Sequence, residues 1–209
     1  MDIDCSDIYE RDKKRLWMAL RAYLPIFGVT AACSYFLESE HIPPLQLFTG
    51  SMFTWYWAYG IHRLHHNIES TGLFYYLNPH LSIHHSHEKV MPRWLELTIE
   101  TLHNIVWFFL LYLLQELTGL HLVPNTIIGV AMLVYSTVHV INYTMFGSEK
   151  HRAQHLNPDV NYGPDFLDHV FGSNSDEEFE DMSHFIPNSI LSTLAIRYLS
   201  RWTLSPYMD

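Results

Sequence analysis

Apolar positions along this chain gather into four long runs separated by polar stretches. Residues 16–37, 43–61, 97–117 and 124–146 carry few or no charges, over the roughly 17 to 25 positions that a helix needs to cross the hydrocarbon core of a bilayer. Arg21 falls near the start of the first run, where its long stem can carry the charge to the interface. The second run is the most aromatic and polar of the four, with Phe48, Thr49, Ser51, Thr54, Trp55 and Trp57. Pro43, Pro44 and Pro124 stand at the expected helix starts, where a missing N–H costs nothing. Beyond position 147 the chain turns polar, with Asn157-Pro158, Tyr162-Gly163-Pro164 and Gly172-Ser173-Asn174 as turn signals, and then an acidic run at 176–181 that reads as a solvated face.

On hydrophobicity alone the same runs suit a soluble four-helix domain with buried core helices. Charge placement separates the two readings. The connections 38–42 and 118–123 contain no Lys or Arg, whereas the N-terminal segment, residues 62–96 and residues beyond 147 hold 11 of the 12, and the twelfth, Arg21, stands near the start of the first run, on the same side. The positive-inside rule expects this of four spans with both termini cytoplasmic. The predicted fold is therefore all-α, a single membrane-embedded domain over 1–209: a four-span transmembrane helical bundle with a cytoplasmic cap built from 62–96 and 147–209. A mean hydropathy of −0.01 agrees with spans that alternate with sizeable polar regions. The charged segment 7–15 precedes the first apolar run and no small-residue cleavage site follows it, so the start reads as mature sequence. The expected location is an integral, multi-pass membrane protein, in the endoplasmic reticulum if the cell is eukaryotic.

With 22 acidic against 12 basic residues the net charge is −10, which excludes a phosphate-binding nucleic-acid surface. Cys5 and Cys33 are too few for a disulfide framework. The 15 histidines change the picture more, because imidazole is the commonest metal ligand. They cluster on the basic side. His62 and His66, at the inner end of the second run, have the i, i+4 spacing that puts two side chains on one helix face, and His65 points about 100° away. His80 and His84 repeat that spacing, with His85 able to turn toward a second metal. His151 and His155 repeat it again after the fourth run, and His139 lies within that run, where an ionisable group is costly unless bound. An even number of spans separates the second cluster from the third, so all face one compartment. Eight imidazoles, His62, His66, His80, His84, His85, His139, His151 and His155, suffice for two metal ions; imidazole alone does not choose among iron, zinc, copper and nickel.

This pattern resembles the fatty acid hydroxylase and sterol desaturase superfamily of membrane di-iron enzymes. His62-Arg63-Leu64-His65-His66 is similar to that family's first histidine box, and His80 to His85 to its second. The third resemblance is the most specific: His151-Arg152-Ala153-Gln154-His155, then Asn161-Tyr162-Gly163, then Asp168 with Phe171-Gly172-Ser173. It covers about residues 45 to 175. Gln154 takes the first place of an expected His-His pair, Ser173 replaces the usual Thr, and His80 follows His66 by an unusually long interval. Gln binds iron less well than His, which implies a weaker site there, or recruitment of His65, His87 or His169.

The resemblance implies two iron ions, dioxygen as co-substrate and a fatty acyl or sterol substrate from the membrane, hydroxylated or desaturated. It also implies an external electron donor, such as a cytochrome b5-type or ferredoxin-type partner. Asn142, Tyr143, Asn161, Asp165 and Asp168 are the expected partners of the ligands' second ring nitrogens. A non-redox membrane metalloprotein is the alternative. Against it, a zinc hydrolase usually adds a Glu base within an HExxH motif, which the sequence lacks, and a transporter would place its ligands mid-span.

Overall fold

The computed structural model describes residues 5–37, 42–68, 75, 78–86 and 91–204. The chain is all-helical, with no strand among the described residues. Helix α1 (Cys5–Phe36), α2 (Pro44–Asn67), α3 (Arg93–Thr118) and α4 (Asn125–Thr137) follow in chain order, and α4 continues as a π-helical segment, Val138–Phe146. Two short helices follow, α5 (Glu149–Leu156) and α6 (Asp165–Phe171), and the long α7 (Phe185–Leu204) ends the described chain.

Three helical stretches are long and apolar enough to cross a membrane: Glu10–Phe36, Arg93–Thr118 and Asn125–Phe146. Their outward faces carry exposed Trp17, Leu20, Leu24, Leu102, Val106 and Phe109, an apolar exterior that suits lipid and not water. The second apolar run lies in α2, whose inward face buries Leu47, Gly50, Thr54, Ala58 and His62. Gly50 is there because α2 approaches the α3–α4 turn closely: an added Cβ would lie 3.0 Å from the Pro124 ring. That turn is fixed by Gln115, buried in α3, which donates to the Val123 carbonyl at 2.9 Å and accepts from the Val123 N–H at 2.7 Å. Without a partner these two backbone groups would be orphaned in an apolar setting.

Leu37, Leu47, Phe108, Leu111, Val123, Ile127 and Ile128 form the core at this end of the bundle. The other end is aromatic. Tyr23, Phe27, Trp55, Phe166 and Phe185 meet mostly edge to face, with ring centroids 5.4 to 5.9 Å apart, tying α1 and α2 to α6 and α7.

The C-terminal region departs from the expected cap. α7 starts beside α4's π segment, where Asn188 donates to Asn142 at 3.0 Å, and finishes at the far end, where Arg197 donates to the Phe36 carbonyl at 2.6 Å. Ile196 packs on Gly129 near the start of α4. α7 thus runs the length of the bundle between α1 and α4, and its outward residues Ile190, Leu191, Leu194, Tyr198 and Leu199 are exposed and apolar. Arg197 stands at the end opposite the histidines, so the basic residues are not all on one side. Pro187, which reads as a helix breaker, sits in the first turn of α7, where proline is tolerated.

Candidate metal centre

Three pieces of local structure bring the histidines together at the C-terminal ends of α2 and α4. The last turns of α2 present His62 and His66 on one face. Asn78 and Pro79 start the π turn His80–His84: the Asn78 carbonyl accepts from Leu81 and Ser82 N–H at 3.1 and 3.0 Å, while its side chain donates to the His65 carbonyl at 3.1 Å. The i→i+5 bond from His85 N–H to the His80 carbonyl (3.0 Å) gives this turn its extra width. Ser148 caps α5 by accepting from His151 N–H at 3.4 Å, setting the helix that carries His151, Gln154 and His155.

The donors fall into two groups. In the first, His62, His66 and His80 point their Nε2 atoms at one another at 3.0, 3.3 and 2.9 Å, and the Gln154 amide stands 3.1 Å from His62 and 3.5 Å from His66. In the second, His84 Nε2 lies 3.1 Å from His151, 3.2 Å from His139 and 3.2 Å from His155, with His151 and His155 3.1 Å apart. His85 stands between the groups, its ring 4.2 Å from His155 and 4.6 Å from His66, and its buried Nε2 has no partner. The π turn therefore splits His80 and His84, whose spacing suggested a shared metal, between the two groups.

Burial disfavours the charged form of several of these rings. Burial, then neighbouring His66, holds His62 well below the usual imidazole range; burial, then His62, does so for His80; burial, then His84, does so for His151 and puts His66 at about 4. Neutral imidazole nitrogens with converging lone pairs repel one another unless a cation lies between them. Ligands about 2.1 Å from one ion sit about 3.0 to 3.4 Å apart, close to the spacing of both groups. Gln154 is wholly buried and its Oε1 has no hydrogen-bond partner; turning the amide over would aim that oxygen at the first group without moving the chain. The residues present thus fit two metal ions.

Around the donors, a loop fixes the ring of His62. Asn161 takes a left-handed backbone conformation (φ 54°), which Asn tolerates, and the Tyr162 carbonyl then accepts from His62 Nδ1–H. Asp168 anchors the loop by accepting from Tyr162 N–H, Gly163 N–H and the Ser173 hydroxyl at 2.8, 2.7 and 2.7 Å. Burial raises the Asp168 carboxyl to about 6, against the lowering effect of those three donors.

Of the other expected partners, Tyr143 stacks on His151 at 5.3 Å and donates to Glu180 at 3.0 Å. Asn142, Asn161, Asp165 and Asp168 bond elsewhere than to a ligating imidazole: Asn142 to Asn188, Asn161 to the Lys150 carbonyl and Ser175, and Asp165 to Tyr23 and the Glu180 N–H. His65 turns toward His103 and Trp107, with centroids 4.8 and 4.6 Å away, and His169 toward Asp165 and the Glu178 carbonyl. His87 lies outside the described residues. Sequence reasoning missed Glu100. This buried acid of α3 accepts from Thr144 at 2.7 Å and lies 3.4 Å from both His84 Nδ1 and His139 Nε2. Its signal was available, as a carboxylate near the start of an apolar run.

A cavity of about 120 Å³ opens from His62, His139 and His151 and runs between α1, α2, α4 and α7 past Ala58, Phe108 and Val134. No family model, no curated protein and no solved structure matches the chain.

Proposed function

We propose that the protein is a membrane oxygenase that uses two histidine-held iron ions and dioxygen to hydroxylate or desaturate a lipid. One observation carries this reading: two sets of converging donors stand at the end of a largely apolar cavity whose wall includes three helices apolar enough for a bilayer. His62, His66, His80 and Gln154 would hold one ion, His84, His139, His151 and His155 the other, with His85 between them. Bound iron supplies the reduction of dioxygen and the oxidising power to take hydrogen from an unactivated C–H bond.

The chain's own residues do the rest. The Tyr162 carbonyl keeps the proton of His62 on Nδ1, so Nε2 is free to ligate. Glu100, fixed by Thr144, faces His84 Nδ1 and orients that ring in the same way. Ala58, Phe108 and Val134 keep water from the reacting carbon and align an apolar chain against the donors.

In this reading α1 to α4 span the bilayer and the histidine end faces the cytosol, where a cytochrome b5-type or ferredoxin-type donor reaches it. α7, which runs the length of the bundle beside them, would also cross, and its end near Leu204 would then lie on the side opposite the histidines. The test is turnover of membrane lipids by the purified, iron-loaded protein under labelled dioxygen with an external reductant. The expected result is a hydroxylated or unsaturated product, lost in His84→Ala and His151→Ala. Stoichiometric zinc with hydrolysis that needs no dioxygen would replace the reading with that of a non-redox metalloenzyme.

A further inference from the structure

The wall of the cavity along α1 and α7 differs from the rest. Ser34 on α1 and Ser189 and Thr193 on α7 line it, all at least nine-tenths buried, and the hydroxyl of each has no hydrogen-bond partner. Serine and threonine in a long helix ordinarily return their hydroxyl to a carbonyl one turn back, as Thr30 does to Ile26 at 2.9 Å and Ser51 to Leu47 at 2.9 Å in this same cavity wall. Ser189 and Thr193 are one turn apart and share a face of α7. The same cavity is also lined by apolar Phe108, Ile127, Val130 and Val134. A site for a plain hydrocarbon would gain by replacing these hydroxyls with methyl groups, because a buried hydroxyl without a partner is costly.

We propose that the cavity takes a lipid whose buried portion carries a hydrogen-bonding oxygen, a hydroxyl or a carbonyl, which Ser34, Ser189 and Thr193 recognise. The inference rests on the lipid-oxygenase reading and narrows its substrate from any acyl chain or sterol to one already oxygenated within the bilayer. Such a site rejects the analogue lacking the oxygen, since its own hydroxyls would then stay unpartnered, whereas an all-apolar pocket rejects an added hydroxyl only weakly.

The test is equilibrium binding to the purified full chain in nanodiscs, with matched probes: stearic acid against its mid-chain hydroxy and keto analogues, and cholesterol against its side-chain hydroxy analogue. In at least one pair the oxygenated member is expected to bind ten-fold or more tightly, and Ser34→Ala/Ser189→Ala/Thr193→Val removes that preference. The variant also keeps its metal content and unfolds at a temperature no lower than the parent, because the deleted hydroxyls have no bonds to lose. Equal binding within both pairs overturns the proposal, as does a preference that survives in the variant. A variant that unfolds earlier while binding both members of each pair alike points to a row of ordered water instead, and also overturns it. Failure of the oxygenase reading looks different: the preference holds, but no dioxygen-dependent product forms.

Discussion

Asp168 shows how one side chain reaches the metal centre without touching it. Its carboxylate gathers two backbone N–H groups and one hydroxyl, and the loop so held presents the Tyr162 carbonyl to His62. Asp168→Asn keeps the shape but places an amide NH₂ against donors. It should cost about 1–3 kcal/mol of stability and weaken metal binding about 10- to 100-fold, measured by unfolding in detergent and by competition with a chelator. Unchanged affinity would show that the loop does not set the His62 tautomer. This role was only half legible in the sequence. Asp168 stood in a recognisable motif, but its expected partner was an imidazole; nothing in a linear motif distinguishes a carboxylate that bonds a ligand from one that bonds the loop behind it. The pairs His62/His66 and His151/His155 were legible, because i, i+4 on an α-helix has one geometric outcome.

At the scale of elements, the π-helical segments account for what spacing could not foresee. His80 and His84 would share one ion on an α-helix; the π turn's extra residue sends them to different groups and leaves His85 between. The second π segment carries His139 and sets the Thr144 hydroxyl, five residues on, 2.9 Å from the His139 carbonyl and 2.7 Å from Glu100, so that its single proton is shared between two acceptors. α7 was hidden for another reason. Pro187, Arg197 and Arg201 interrupt its apolar pattern, so a hydropathy reading assigns it to a polar cap, yet packing on Gly129 and along α1 gives it a place in the bundle. If α7 crosses the bilayer, epitope tags at the two ends of the chain will be protected on opposite faces of sealed vesicles. Protection on the same face would return α7 to the histidine side and require a different arrangement of the bundle.

At the scale of the whole molecule, the fold stabilises a set of uncharged imidazoles, and this gives it a pH dependence. His65 and His66 are held at about 4, by burial first and then by His103 and His84 respectively, and His62, His80 and His151 are also held well down. Below about 6.5 the unfolded chain takes up protons at these positions and the folded chain does not. Their contribution is therefore full above that pH and is lost as the pH falls toward 4. Glu180, raised to about 7 by burial, and Asp168 act in the opposite sense, since the folded chain keeps protons there that the unfolded chain has released. Five imidazoles against two carboxyls give a net loss on acidification. The unfolding temperature should drop between neutral pH and about pH 4.5, and bound metal should leave over the same interval; a flat profile would mean that the imidazoles are charged or exposed.

The claim on which the whole account depends is that the two groups of imidazoles each hold one metal ion. The most direct measurement is the metal content of the purified protein by mass spectrometry, beside two variants that each take one donor from a single group, His62→Ala and His139→Ala. The account predicts two ions per chain in the parent and about one in each variant, since a multidentate site that loses a ligand and its charge-free lone pair binds far more weakly. A parent that carries no stoichiometric metal, or variants that retain both ions, would contradict it.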